Sequence, residues 1–209
     1  MTAAPWPEDP DLRLPPFYPG MRIGLFGGSF DPPHRGHLEV SLVALRALRL
    51  HQVWWLVSPR NPLKQNAPSS DLHRRIAAAR ALARHPRIKV TGVEAALGTR
   101  YTAETLALLL PRLRGVSSVW MMGADNLVSF HRWRDWRGIA AALPMAVFNR
   151  PGLSAAAVAA PAARALWRAR HDAADAPILA AMPPPAWVFL ASPHVDLSST
   201  ALRRSLLPS

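Results

Sequence analysis

The stretch Phe26-Gly27-Gly28-Ser29-Phe30-Asp31-Pro32-Pro33-His34-Arg35-Gly36-His37 limits, more than any other, what this chain can fold into. Ahead of it, Met21 to Phe26 is a short apolar run of strand character. Behind it, Leu38, Leu42, Leu45 and Leu48 recur at steps of three and four, which predicts an amphipathic helix over residues 38–48. A glycine pair joining a strand to a helix is where backbone amides and a helix N-terminus together bind phosphate. Two histidines three residues apart then share one face at the mouth of that helix. The stretch predicts a nucleotide-phosphate site.

The rest of the chain repeats the strand-then-helix pattern. Strands are predicted at residues 52–57, 88–91, 116–122, 145–148 and 187–190. Helices are predicted from Ser69-Ser70-Asp71 to about Ala83, over residues 102–110, and over 201–206 behind Ser198-Ser199-Thr200. Residues 59–70 read as a polar, proline-punctuated loop holding Lys64. Asp125, Trp133 and Trp136 fall in a loop or short helix after Gly123, and residues 154–185 are rich in alanine and proline. Such alternation predicts an α/β fold, a mainly parallel sheet with right-handed crossovers and helices on both faces. Ligands bind such sheets beyond the carboxyl ends of the strands, where strand order reverses. Residues 1–20 read as an irregular lead, and 21–209 as a single domain.

Composition narrows the functional classes. With no cysteine among 209 residues, disulfides and thiolate chemistry are excluded. No uncharged run approaches the ~20 residues of a membrane span. The opening residues lack the basic start and apolar centre of a signal peptide, so a cytoplasmic location is expected. The formal charge of +12 suits a phosphate-bearing partner, nucleic acid or small nucleotide, but equally a solvated arginine-rich surface. No run of five or six basic residues marks a nucleic-acid patch, so no nucleic-acid partner is expected.

The glycine stretch lacks the Gly-Lys-Ser/Thr ending of a P-loop and the GxGxxG spacing of dinucleotide binders. His34 and His37 could share a metal at this spacing, yet no adjacent carboxylate or cysteine completes a ligand set. A purely structural role for the pair stays open. Asp31, beside Pro32, reads as a turn former rather than a catalytic acid.

GGSFDPPHRGH resembles the first signature of the bacterial nicotinate-nucleotide adenylyltransferases, within the nucleotidyltransferases marked by a His-x-Gly-His element. Their second signature, Ser-Ser-Thr-x-x-Arg, has its counterpart in Ser198-Ser199-Thr200-Ala201-Leu202-Arg203. Tyr101-Thr102 with Thr105, Gly123 with Asp125, Trp133, and Arg150-Pro151-Gly152 follow in the family's order. The likeness spans about residues 21–206. The proline-rich lead, residues 154–185, and an end at Ser209 soon after the second signature depart from the pattern.

The resemblance implies a three-layer Rossmann-like nucleotidyltransferase fold and transfer of the adenylyl group of ATP to nicotinate mononucleotide. The alternative is a sister enzyme acting on nicotinamide mononucleotide or another phosphorylated acceptor. It implies Mg²⁺ carried by ATP with no metal ligand from the protein, and leaves homo-oligomerisation open. By the same resemblance, Gly27, Gly28, Ser29, Phe30, His37, Ser199, Thr200 and Arg203 bind ATP, and His34, His37 and Arg203 serve the reaction. Lys64, Thr102, Asp125, Trp133 and Arg150 would contact the acceptor substrate. Each has a plainer reading: Thr102 as a helix cap, Asp125 as a turn residue, Trp133 as core, and Lys64 and Arg203 as solvated cations.

Overall fold

The computed structural model describes residues 7–59, 71–149 and 154–191. Lys64, Arg150, Ser199, Thr200 and Arg203, with the expected helix over 201–206, lie outside the described residues. Among the described residues seven strands form one sheet: β1 (Arg22–Gly28), β2 (Gln52–Val57), β3 (Ile88–Thr91), β4 (Ser117–Gly123), β5 (Met145–Phe148), β6 (Arg170–His171) and β7 (Trp187–Leu190). Their order is β3-β2-β1-β4-β5-β7-β6, and every neighbouring pair is parallel.

An all-parallel sheet is buried on both faces, so its strands are apolar on both sides. In β2, Val53, Trp55 and Val57 enter one core while Trp54 and Leu56 enter the other. In β4, Val119 and Met121 alternate with Trp120 and Met122 in the same way. Helices α1 (Arg35–Ala47) and α2 (Leu72–Leu82), with a 3₁₀ segment at Ala173–Ala181, contribute residues to the first core. The second core takes residues from α3 (Val93–Ala96), α4 (Thr102–Leu109), α5 (Ala124–Phe130), α6 (Trp136–Ala142), α7 (Ser154–Val158) and α8 (Pro161–Ala165). The expected three layers are therefore present.

Strand β1 is the first strand and lies inside the sheet. The chain builds outward from it through β2 to β3, then crosses to its other side at β4, with Phe26 opposite Met121. The strand order reverses between β1 and β4, and the crevice of the fold opens beyond their carboxyl ends.

Local structure corrects the sequence reading at that point. Gly27 and Gly28 do not form the turn; they are the last two residues of β1, in register with Leu56 and Val57. A Cβ on Gly27 would lie 2.6 Å from the Trp120 ring on β4, which accounts for glycine there. The turn itself is Ser29–Pro33, and α1 begins at Arg35 rather than Leu38.

Residues 7–20 hold no helix or strand but are tied to the β3 edge. The Gly92 amide donates to the Asp11 carbonyl at 2.7 Å, and the Thr91 hydroxyl donates to the Arg13 carbonyl at 2.7 Å. Asp11 pairs with Arg80 and His73 of α2, and Phe17 meets the Trp54 ring edge-on at 5.9 Å.

Candidate active site at the switch point

His34 is the N-cap of α1, and His37 lies in its first turn. Both are buried, with ring centroids 3.8 Å apart. The His34 amide donates to His37 Nδ1 at 3.2 Å. An N–H donor requires a lone pair on Nδ1, so a neutral His37 carries its proton on Nε2 and presents that atom as a donor.

Aromatic packing fixes the imidazole. Phe30 lies 4.7 Å from His37 and stacks on Trp55 at 4.9 Å with 15° between planes. Below the ring, Trp55 Nε1 donates to Ser41 Oγ at 2.7 Å, and Ser41 Oγ donates to the His37 carbonyl at 2.8 Å. Trp55 thus supports His37 by two routes, through the Phe30 ring on which it stacks and through a buried hydroxyl.

The turn carries strain. Phe30 has φ 47°, a left-handed conformation that costs a side-chain-bearing residue about 1–2 kcal/mol. Among the described residues neither the Ser29 nor the Phe30 amide has an acceptor, although Phe30 is only 1 % exposed. Buried N–H groups without acceptors are rare in folded proteins. A turn that presents two unbonded amides, one of them on a buried residue, beside a helix N-terminus can hold an oxyanion.

Arg75 of α2 holds this turn from behind. It is 4 % exposed, and its guanidinium donates to the carbonyls of Ser29 at 2.7 Å, Ser58 at 2.7 Å and Pro59 at 2.9 Å. Burial pulls its pKa below the ordinary value, against the opposing pull of the Asp31 and Asp71 carboxylates. Sequence reasoning missed Arg75. Its one signal was position: it shares the buried face of α2 with Ile76 and Ala79, whereas Arg74 is exposed.

The remaining expected residues divide. Asp125 is exposed in the first turn of α5, directly after β4 and therefore across the switch point from the glycine stretch. Thr102 is the first residue of α4; Tyr101 is the N-cap, so Thr102 does not cap the helix as its plainer reading had it. The half-buried Trp133 meets Phe130 edge-on at 5.4 Å, and its Nε1 is buried with no acceptor among the described residues. Next to it, Arg134 pairs with Glu104 at 3.0 Å and lies 4.9 Å over the Tyr101 ring. The structure thus joins the Trp133 segment to the start of α4 where Thr102 sits.

Among the described residues one group of three side chains could ligate a metal: Asp9, Asp11 and His73. Arg80 already occupies the Asp11 carboxylate, so this group fits an ion-pair clasp better than a resident cation. No such group stands at the switch point among the described residues.

Residues 25–205 match the cytidylyltransferase-like family. A protein of Cereibacter sphaeroides named "Probable nicotinate-nucleotide adenylyltransferase" is 58 % identical over 183 residues, covering 88 % of this chain and 97 % of that one. A protein of the same name from Methylorubrum extorquens is 56 % identical over 183 residues, covering 88 % and 99 %. Among solved structures, the Plasmodium falciparum nicotinic acid mononucleotide adenylyltransferase complexed with APC superposes with a TM-score of 0.65 at 13 % identity, over 88 % of this chain and 83 % of that one. This last likeness bears on the fold alone.

Proposed function

The chain belongs to the cytidylyltransferase-like family and, within it, to the nicotinate-nucleotide adenylyltransferases, and from that membership we propose that the switch-point crevice joins nicotinate mononucleotide to the adenylyl group of ATP. A phosphate oxygen of the acceptor forms a bond to the α-phosphorus. The bond from that phosphorus to the bridging oxygen breaks, and pyrophosphate leaves. The product is nicotinate adenine dinucleotide, a precursor of NAD.

The observation that carries this reading is the pairing of two buried histidines with two unbonded turn amides at the crevice. In-line phosphoryl chemistry needs little covalent help, so positioning and charge neutralisation carry it. The amides of Ser29 and Phe30 would hold phosphate, with Gly27 and Gly28 shaping the strand end that leads to them. His34 and His37 would bracket the ATP phosphates, with the Nε2 proton of His37 aimed at charge developing in the transition state. ATP would arrive as its magnesium complex, and the ion would neutralise phosphate charge without needing a protein cage. Ser199, Thr200 and Arg203 would complete the grip on the triphosphate and leaving pyrophosphate, a role resting on the Ser-Ser-Thr-x-x-Arg motif. Thr102 and Trp133 would take the nicotinate ring and carboxylate, Asp125 a ribose hydroxyl, and Lys64 and Arg150 acceptor phosphate. We read residues 21–209 as one domain on which the lead is clamped.

An acceptor panel at fixed ATP and magnesium tests the reading by pyrophosphate release. Nicotinate mononucleotide should support turnover, with nicotinamide mononucleotide far behind. Equal or reversed preference would overturn the nicotinate assignment, and no release with either would overturn the activity.

A further inference from the structure

We propose that Arg75 is a positioning residue for adenylyl transfer, fixing the Ser29–Phe30 peptide so that the Phe30 amide faces nucleotide phosphate. The inference rests on the reading of the glycine stretch as the ATP-phosphate site. In a trans peptide the C=O and the following N–H point in opposite directions. The guanidinium takes the Ser29 carbonyl at 2.7 Å, so the Phe30 N–H is turned away from Arg75, and no described residue accepts from it.

The turn does not hold this pose through its own preferences. Phe30 sits at φ 47°, a conformation that persists only when its surroundings over-determine it. Its ring packs against both Trp55 and His37, at 4.9 and 4.7 Å. Its peptide is gripped by Arg75. One Nη of Arg75 serves both Ser29 and Ser58, and the other serves Pro59, so a single side chain ties the turn after β1 to the turn after β2. The Ser58 amide closes the circuit by donating to the Gly28 carbonyl at 2.9 Å. A planar fork can make all of these bonds at once; an ammonium cannot reproduce the geometry.

The experiment uses the full chain, comparing wild type with Arg75→Lys and Arg75→Ala. Amide resonances of Ser29 and Phe30 are followed during titration with a non-hydrolysable ATP analogue, and steady-state kinetics are measured with each substrate varied. In the wild type the Phe30 amide should shift on nucleotide addition. If it does not, the phosphate-site reading falls, and the inference with it. In Arg75→Lys the shift should collapse, the KM for ATP should rise, and kcat should fall about 100-fold. The KM for nicotinate mononucleotide should stay within about threefold. Guanidinium ion, but not ammonium, should restore part of the activity of Arg75→Ala. A Phe30 amide that responds equally in wild type and Arg75→Lys would overturn the inference while leaving the phosphate site standing. So would a folded Arg75→Lys with wild-type constants, or one whose only change is a lower Tm. If Arg75→Ala does not fold, Arg75→Lys decides; if neither folds, Arg75 is a folding residue and the inference is wrong.

Discussion

Glu94 offers a test of the fold's electrostatics that is independent of turnover. It stands in the first turn of α3, is 7 % exposed, and its carboxyl has no hydrogen-bond partner among the described residues. Burial pushes its pKa from the ordinary 4.5 up to about 8, so at neutral pH the folded protein holds it largely as the uncharged acid. Because the folded pKa lies above the unfolded one, the folded state binds more protons between them, and stability must fall as pH rises through that interval. Each pH unit removes about 1.4 kcal/mol. Over the whole interval the loss is about 5 kcal/mol, and by pH 7 about 3 kcal/mol. These are upper bounds, because local relaxation and water entry lower the penalty of a buried charge. Glu94→Gln imitates the uncharged acid and cannot ionise. The variant should match wild type near pH 4.5 and exceed it by a margin that widens to pH 8 and then stays constant. Urea unfolding of both proteins at pH 5, 6, 7 and 8 gives this margin directly, and subtracting the curves cancels every group the two share. Parallel curves would refute the reasoning, since they would mean the carboxylate ionises in the folded state without penalty.

Two further outcomes are expected at the histidine pair. His37→Ala should lower kcat 10²–10³-fold, about 2.7–4 kcal/mol, with Tm close to wild type; full activity in a folded variant would remove His37 from the reaction. Trp55→Phe and Ser41→Ala each break the indole–hydroxyl–carbonyl chain beneath His37 while keeping the ring stack. A double-mutant cycle on kcat should show the pair costing little more than either single change, and strict additivity would show that the chain does not act as a unit.

Much of this architecture was legible in the residues. Strands β2, β3, β5 and β7 occupy the residues that apolar runs bounded by turn formers predict, because a strand buried on both faces has little freedom in composition. The end of β1 was misread because glycine pairs locally signal turns, whereas Gly27 answers to a tryptophan on a different strand. The two-residue β6 and four-residue α3 are too short to show a period. The histidine pair was readable from its spacing and glycine context. The supports around it were not. Arg75 and Arg74 are identical letters side by side, and only the packing of α2 decides which one is buried. Ser41 and Trp55 are fourteen positions apart, and only the β1–α1–β2 crossover brings them into contact.

The proline-rich lead has a consequence for behaviour in solution. An open sheet ends in two rows of unpaired peptide groups, ready to recruit another chain. Among the described residues, one margin of this sheet is the two-residue β6. At the other, the tether running from Asp9 to Arg13 is hydrogen-bonded at the end of β3 and ion-paired to α2 beside it. A chain cut back to residue 21 would lose that shield and lay bare a templating edge, prone to stack on its own kind.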